Sequence, residues 1–302
     1  MSCVLGENVW VFHAGALGDH VMIWPLVRAM ARRGSRVTVV AAASHAALCE
    51  REAGRSVDAG VGGVVGMSAE RLRFTSMWSG SVAAGDVEHR VVAVLSMVAD
   101  DVSDAGRVWV GAARAMFPGA AVECVGPPGS ESRRAIWERV GVAEFGGIGA
   151  AANPDGPIVM VVGAGGEAKR WAMDRWVELA ARLRGAGEVR LIAGPVERER
   201  FAASERAMFE AAGGEFVSER GGLGELADVI RHARGYVGCD TGPTHLAAQM
   251  GVATVALFGP TDAAVWGPVG ARVRVIAPAT RMGMEWLTVR IAEGAAIDTN
   301  RT

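Results

Sequence analysis

The sequence predicts an α/β protein of two successive parallel-sheet domains, and three observations carry that prediction. Short apolar, β-branched runs alternate with segments of helical periodicity, which is the rhythm of βαβ units. Across residues 146–156 the rhythm stops in a run of Gly, Ala, Asn and Pro and then restarts, dividing the chain into 1–150 and 151–302. Half of the 302 residues are hydrophobic and 41 are glycine, enough for two cores and for tight strand-to-helix turns.

In the first domain Asn8–His13 reads as a short apolar strand and Ala14–Asp19 as a turn. A helix from about His20 to Arg33 is stopped by Gly34. Arg36–Ala41 is the next strand, followed by a helix over Ser44–Ala53. Shorter strands are expected at Gly63–Gly66, Arg90–Leu95, Val108–Val110 and Ala121–Val125. In the second domain the strands are 157–162, 188–193, 215–218, 235–238, 252–258 and 272–276. Helices between them fall at about 171–184, 197–212, 223–232 and 243–250, and a last one at Glu285–Glu293.

Bulk properties narrow the function. A net charge of -2 offers no basic field for nucleic acid. Cys3, Cys49, Cys124 and Cys239 are scattered, with neither metal-ligand spacing nor the density of a disulfide scaffold, so a reducing compartment is expected. No stretch reaches the roughly 18 apolar residues of a membrane span. The N-terminus lacks the basic segment of a signal peptide. The expectation is a cytoplasmic protein, with contact at the inner face of the cytoplasmic membrane left open and encoded by no anchor.

Four strand-end loops could carry chemistry. Of the 31 basic residues only Lys169 is a lysine, so a compact ammonium survives where arginine is otherwise used. It follows Gly163-Ala164-Gly165-Gly166 after an apolar strand and precedes a helix, a setting that suits a phosphate. Arg170 adds a second cation at a helix start, where a cation is poorly placed unless an anion joins it. Trp171 and Trp176 are read as packing residues of that helix.

In Gly15-Ala16-Leu17-Gly18-Asp19-His20 the spacing of a dinucleotide fingerprint is absent. What the loop offers is the Asp19 carboxylate, either a general base for an acceptor hydroxyl or a cap of the following helix. His13 and His20 flank it and are read as packed or half-exposed residues. Glu197, after Gly194-Pro195, could accept from ribose hydroxyls or serve as a first-turn acid. The fourth loop is Asp240-Thr241-Gly242-Pro243-Thr244-His245. Thr241 is placed to cap and Pro243 to sit in the first turn. The amides of Gly242, Thr244 and His245 are then expected to face an anion, with His245 itself read as a core or helix-face histidine.

Together these pieces resemble glycosyltransferase family 9, the heptosyltransferase family of lipopolysaccharide assembly. The resemblance rests on Gly18-Asp19 followed by Pro25, Gly163-Ala164 followed by Lys169-Arg170-Trp171, and Gly194-Pro195 followed by Glu197. It continues in the Asp240–Ala248 segment and in Phe258-Gly259-Pro260-Thr261. The stretch from about 45 to 150 carries no matching motif. Ala172 stands where the family often has proline, and His13 where a basic residue is common.

The resemblance implies the GT-B fold, with two Rossmann-like domains facing a central cleft. The acceptor would bind in 1–150 and the nucleotide-sugar donor in 151–302, with the Glu285–Glu293 helix crossing back to the N-terminal domain. It implies an inverting, metal-independent transfer with no cofactor, from an ADP-sugar such as ADP-heptose to a glycan or glycolipid acceptor. By position Asp19 would be the base, Lys169 and Arg170 would meet the donor diphosphate, and Glu197 the ribose. Asp240, Thr241, Gly242, Thr244 and His245 would line the donor pocket. Asp100-Asp101, the nearest thing to a metal-binding pair, falls in the unmatched stretch and reads as a solvated turn. Two other classes share such a fold: a non-catalytic nucleotide-sugar-binding protein, which has no need of Asp19, and a nucleotide-sugar epimerase, which needs a richer acid/base set.

Overall fold

The computed structural model describes residues 8–56, 62–70, 93–96, 103–124, 153–217, 221–277, 283–285, 287–288 and 291. The chain forms two compact units, Met1–Glu144 and Phe145–Thr302. Among the described residues no helix is long and apolar enough to cross a membrane.

In the first unit β1 (Asn8–Phe12), β2 (Arg36–Ala41), β3 (Gly63–Ser68), β4 (Ala93–Ser96) and β5 (Ala121–Cys124) make a sheet in the order β3-β2-β1-β4-β5. Every described pairing in it is parallel. Central β1 is buried on both faces, as a parallel sheet covered on both sides requires. On one face Trp10 and Phe12 meet Trp109 and Phe117, with Phe12 and Trp109 edge-to-face at 5.4 Å.

The expected helix over 20–33 is two helices, α1 (Leu17–Met22) and α2 (Trp24–Arg32). The break follows from Pro25, which has no N–H to continue the ladder, and Ile23 closes the first helix by donating to the His20 carbonyl at 3.2 Å. Helix α3 (Ala43–Ala53) packs on β2 and β3. The strand expected at Val108–Val110 is instead the middle of α4 (Asp104–Met116). The β-branched pair misleads locally. The buried positions Trp109, Ala112, Ala113 and Met116 follow helical spacing, and the Ser103 hydroxyl caps the start by accepting from the Gly106 amide. Asp100-Asp101 and residues 146–152 of the expected linker lie outside the described residues.

In the second unit β6 (Ile158–Val161), β7 (Val189–Ala193), β8 (Glu215–Phe216), β9 (Gly235–Cys239), β10 (Ala253–Leu257) and β11 (Val273–Ile276) pair in the order β11-β10-β9-β6-β7-β8. All are parallel. The helices are α5 (Met173–Leu183), α6 (Pro195–Arg200), α7 (Ala203–Ala211), α8 (Gly222–Arg231), α9 (Gly242–Gln249) and the unexpected short α10 (Ala263–Trp266).

The helix expected over 197–212 divides at Phe201-Ala202. Two acids start two helices: Glu197 accepts from the Gly194 amide at 3.2 Å and Glu205 from the Ala202 amide at 3.0 Å. Phe201, freed between them, is buried against Phe209. Trp171 and Trp176 are buried and edge-to-face at 5.1 Å, as packing residues should be. From the expected last helix, Leu287 and Ile291 are buried in this unit's core, while residues 286, 289–290 and 292–293 lie outside the described residues.

Candidate functional site

Because the second sheet is parallel, the loops after β10, β9, β6 and β7 leave from the same carboxyl edge. The sequence order reverses where β6 lies between β9 and β7, the position where open α/β sheets bind ligands. Three of those loops converge on one carboxylate. Asp240, following β9, accepts from Lys169 Nζ at 2.6 Å and from Thr261 Oγ1 at 2.8 Å, both at Oδ2. His245 Nε2 stands 3.7 Å from Oδ1, beyond a direct hydrogen bond.

Burial alone would push the Asp240 carboxyl up; nearby His245, the hydrogen bonds from Lys169 and Thr261 and the Lys169 charge outweigh it and hold the group down to about 2. The Asp240 side chain is 7% exposed and that of Lys169 34%, so the ion pair is fixed from the protein side and open from the ammonium side.

Lys169 reaches this point from a short 3-10 turn, Glu167–Lys169. The loop before it turns at Gly163, where φ is +153° and a Cβ would lie 2.5 Å from Glu197 Oε1. Glycine there lets the β6 and β7 loops approach, and it places the half-buried Glu197 carboxylate against the same loop that carries Lys169. Arg170 Nη2 pairs with Glu205 Oε1 at 2.7 Å and its guanidinium lies over Phe201. That residue therefore ties the Lys169 loop to the start of α7.

The start of α9 differs from expectation. Thr241 occupies the cap position but its hydroxyl makes no capping bond. The amides of Thr244 and His245 do not face outward for an anion: both donate to the Thr241 carbonyl, at 3.1 and 3.3 Å. The Thr244 hydroxyl is fully buried, donates to the Cys239 carbonyl at 2.6 Å and meets Tyr236. Thr244 thus shapes the turn from beneath, while half-buried Thr241 and Gly242 remain at its rim.

In the first unit Asp19 is the third residue of α1, half-buried, and the cap position belongs to Ala16. Capping is therefore not its role, although an acid in a first turn suits the helix dipole. His13 and His20 are both buried, and a third histidine joins them: the rings of His20 and His45 stack at 5.2 Å. Burial, with lesser contributions from His13 and His45, holds His20 well below the ordinary imidazole value, so it is neutral.

The sequence reading set Lys169 and Asp240 at one expected donor site without pairing them, and the fold pairs their side chains directly. It missed Thr261 as their partner, although Thr261 belongs to a quoted loop, and it missed His45, for which a helical segment without a motif gives no signal. Among the described residues no group of three or more His, Cys, Asp or Glu is arranged to hold a metal ion.

The second unit thus carries a carboxylate-anchored lysine cluster at its sheet's switch point, the place where open α/β sheets bind ligands. Comparison with known proteins shows what the chain is similar to. Residues 143–285 match the model of glycosyltransferase family 9 (heptosyltransferase). Lipopolysaccharide heptosyltransferase 1 of Pseudomonas aeruginosa is 39% identical over 124 residues; the match covers 40% of this chain but only 34% of that relative. Among solved structures, the family 9 glycosyl transferase of Veillonella parvula superposes with a TM-score of 0.64 at 15% identity, covering 98% of both chains. E. coli heptosyltransferase WaaC with ADP gives a TM-score of 0.58 at 16% identity, covering 95% of this chain and 99% of that one. Just under half of the chain is thus similar to glycosyltransferase family 9, and its two parallel α/β units share the fold of the solved family 9 and heptosyltransferase structures.

Proposed function

We propose that the chain is an inverting, metal-independent glycosyltransferase that moves a sugar, a heptose from ADP-heptose, onto a cell-envelope glycan or glycolipid such as the lipopolysaccharide core. Asp19 takes the proton of the acceptor hydroxyl. The freed oxygen attacks the anomeric carbon as the bond to the diphosphate breaks, and the nucleoside diphosphate leaves with the electron pair. Attack opposite the leaving group inverts the anomeric configuration. Negative charge builds on the diphosphate, and preorganised cations and dipoles lower the barrier by meeting it.

The observation that carries this reading is the Lys169–Asp240–Thr261 cluster, assembled from the ends of three adjacent strands. Asp240 and Thr261 hold a half-exposed ammonium in place before any ligand arrives, so the diphosphate meets a cation already ordered. Arg170, fastened to Glu205, braces that loop and adds positive field. Glu197 lies across Gly163 from it, where a ribose following the diphosphate would find an acceptor. Thr241 and Gly242 line the rim, with His245 behind Asp240.

A ligand that binds only the folded state raises the melting temperature. ADP is expected to raise it by several degrees at millimolar concentration, UDP and GDP by less, and EDTA to leave the ADP shift unchanged. Equal failure of all three nucleotides would overturn the donor assignment, and loss of the shift with EDTA would overturn metal independence.

A further inference from the structure

We propose, on the reading of this loop cluster as the donor site, that buried Thr244 is a positioning residue: it turns the proton of the Thr241 hydroxyl inward, so that the rim presents an oxygen that only accepts and receives a hydroxyl group of the nucleotide sugar. A bond that does not form is the first sign. Thr241 stands at the cap position of α9, yet its side chain makes no capping bond. Its hydroxyl is engaged beneath the turn instead, 3.3 Å from Thr244 Oγ1 and 3.4 Å from the Cys239 carbonyl oxygen.

Counting protons fixes the direction of these bonds. A hydroxyl has one proton to give and two lone pairs to receive. The wholly buried Thr244 hydroxyl gives its proton to the Cys239 carbonyl at 2.6 Å. Its lone pairs are left for Tyr236 Oη and Thr241 Oγ1, both at 3.3 Å. Burial pushes the Tyr236 hydroxyl up, so it keeps its proton and donates. With the Thr244 proton spent, Thr241 is the donor of the remaining pair. The other inward partner of Thr241, the Cys239 carbonyl, also takes a proton from it. Either way the Thr241 proton is used inside the protein, and the half-buried oxygen keeps lone pairs for a ligand. Thr244 is then saturated, and a fully satisfied buried network resists rearrangement.

The backbone makes room for this arrangement. A Cβ on Gly238, within β9, would lie 2.6 Å from both Thr244 Oγ1 and the Tyr236 hydroxyl, so a side chain there would break their contact. The consequence is a division of the donor between two groups. Ionised diphosphate oxygens accept and do not donate, so an acceptor-only Thr241 has no bond to offer them. They fall to the Lys169 ammonium. A hydroxyl of the transferred sugar or of the ribose has the proton that Thr241 lacks.

Calorimetric titration of ADP-heptose, ADP and adenosine into four variants tests this. Thr244→Val keeps the branched shape but removes the hydroxyl, and should weaken ADP-heptose binding by about tenfold. Thr241→Val, at the half-buried rim, should lose about the same, and the double variant no more than either, because Thr244 acts through Thr241. Thr244→Ser restores the hydroxyl and should bring affinity back to within about threefold of wild type. A loss confined to ADP-heptose places the hydroxyl on the transferred sugar; an equal loss with all three probes places it on the ribose. Loss with ADP but not with adenosine assigns the contact to the diphosphate and overturns the proposal. So do additive losses in the double variant, or Thr241→Val binding ADP-heptose within about twofold of wild type. If wild type binds ADP-heptose and one of these contrary results appears, only the Thr244 inference fails. If wild type binds none of the three probes, the donor reading fails and Thr244 falls with it.

Discussion

The two candidate loci handle buried polar groups in opposite ways. In the second unit a nearly buried carboxylate is kept charged by surrounding it with donors: Lys169, Thr261 and, farther off, His245. In the first unit buried imidazoles are kept neutral by denying them partners, with His20 fully enclosed and His45 half enclosed beside it. A low-dielectric site can stabilise an ion only by pairing it; otherwise the group gives up its charge. The second locus is thus a prearranged charge cluster suited to an anion. The first is a group of buried histidines beside the half-buried Asp19.

That contrast makes predictions of decreasing size. Asp19→Asn should lower transfer by roughly a thousandfold, the range of a lost general base, while ADP affinity stays within twofold. Coupled transfer assays and calorimetry read the two quantities separately. Parallel loss of both would show that Asp19 holds the fold.

Smaller effects follow from acid titration, and the two loci should fail in different pH windows. His20 is depressed in the folded state, so its stabilising contribution is complete above the unfolded value near 6.5 and is lost as pH falls below it. The slope is about 1.4 kcal/mol per pH unit for each proton taken up on unfolding. Asp240 is also depressed, from 3.8 to about 2, so its contribution is complete above pH 3.8 and disappears toward pH 2, about 2 kcal/mol in all. Urea melts of His20→Phe should therefore flatten the wild-type loss between pH 7 and about 5, and Asp240→Asn the loss between about 4 and 2. If His20→Phe keeps the wild-type slope, the imidazole is not buried neutral.

Much of this architecture is legible in the sequence because parallel strands covered on both faces read as continuous apolar runs, and the turns after them are marked by glycine. Ile158–Val161 and Gly235–Cys239 are strands where such runs stand. Local pattern fails where tertiary packing decides. Val108 and Val110 suggest a strand, but the contacts of Trp109 with β1 and the Ser103 cap make a helix. Phe201 breaks a helix because it is buried between two first-turn acids.

The candidate sites divide similarly. Lys169 is conspicuous by composition and Asp240 by its turn, but their 2.6 Å pairing joins residues 71 apart, which no local pattern encodes. His45 is harder still to foresee, since only the packing of α3 brings it to His20.

The central claim is that the Lys169 ammonium, held by Asp240, receives the donor diphosphate. Calorimetric titration of ADP into wild type and Lys169→Met tests it most directly. Loss of one charged partner should weaken ADP binding by about 10- to 100-fold, while Asp19→Asn binds as wild type. Affinity within twofold of wild type in folded Lys169→Met would contradict the account.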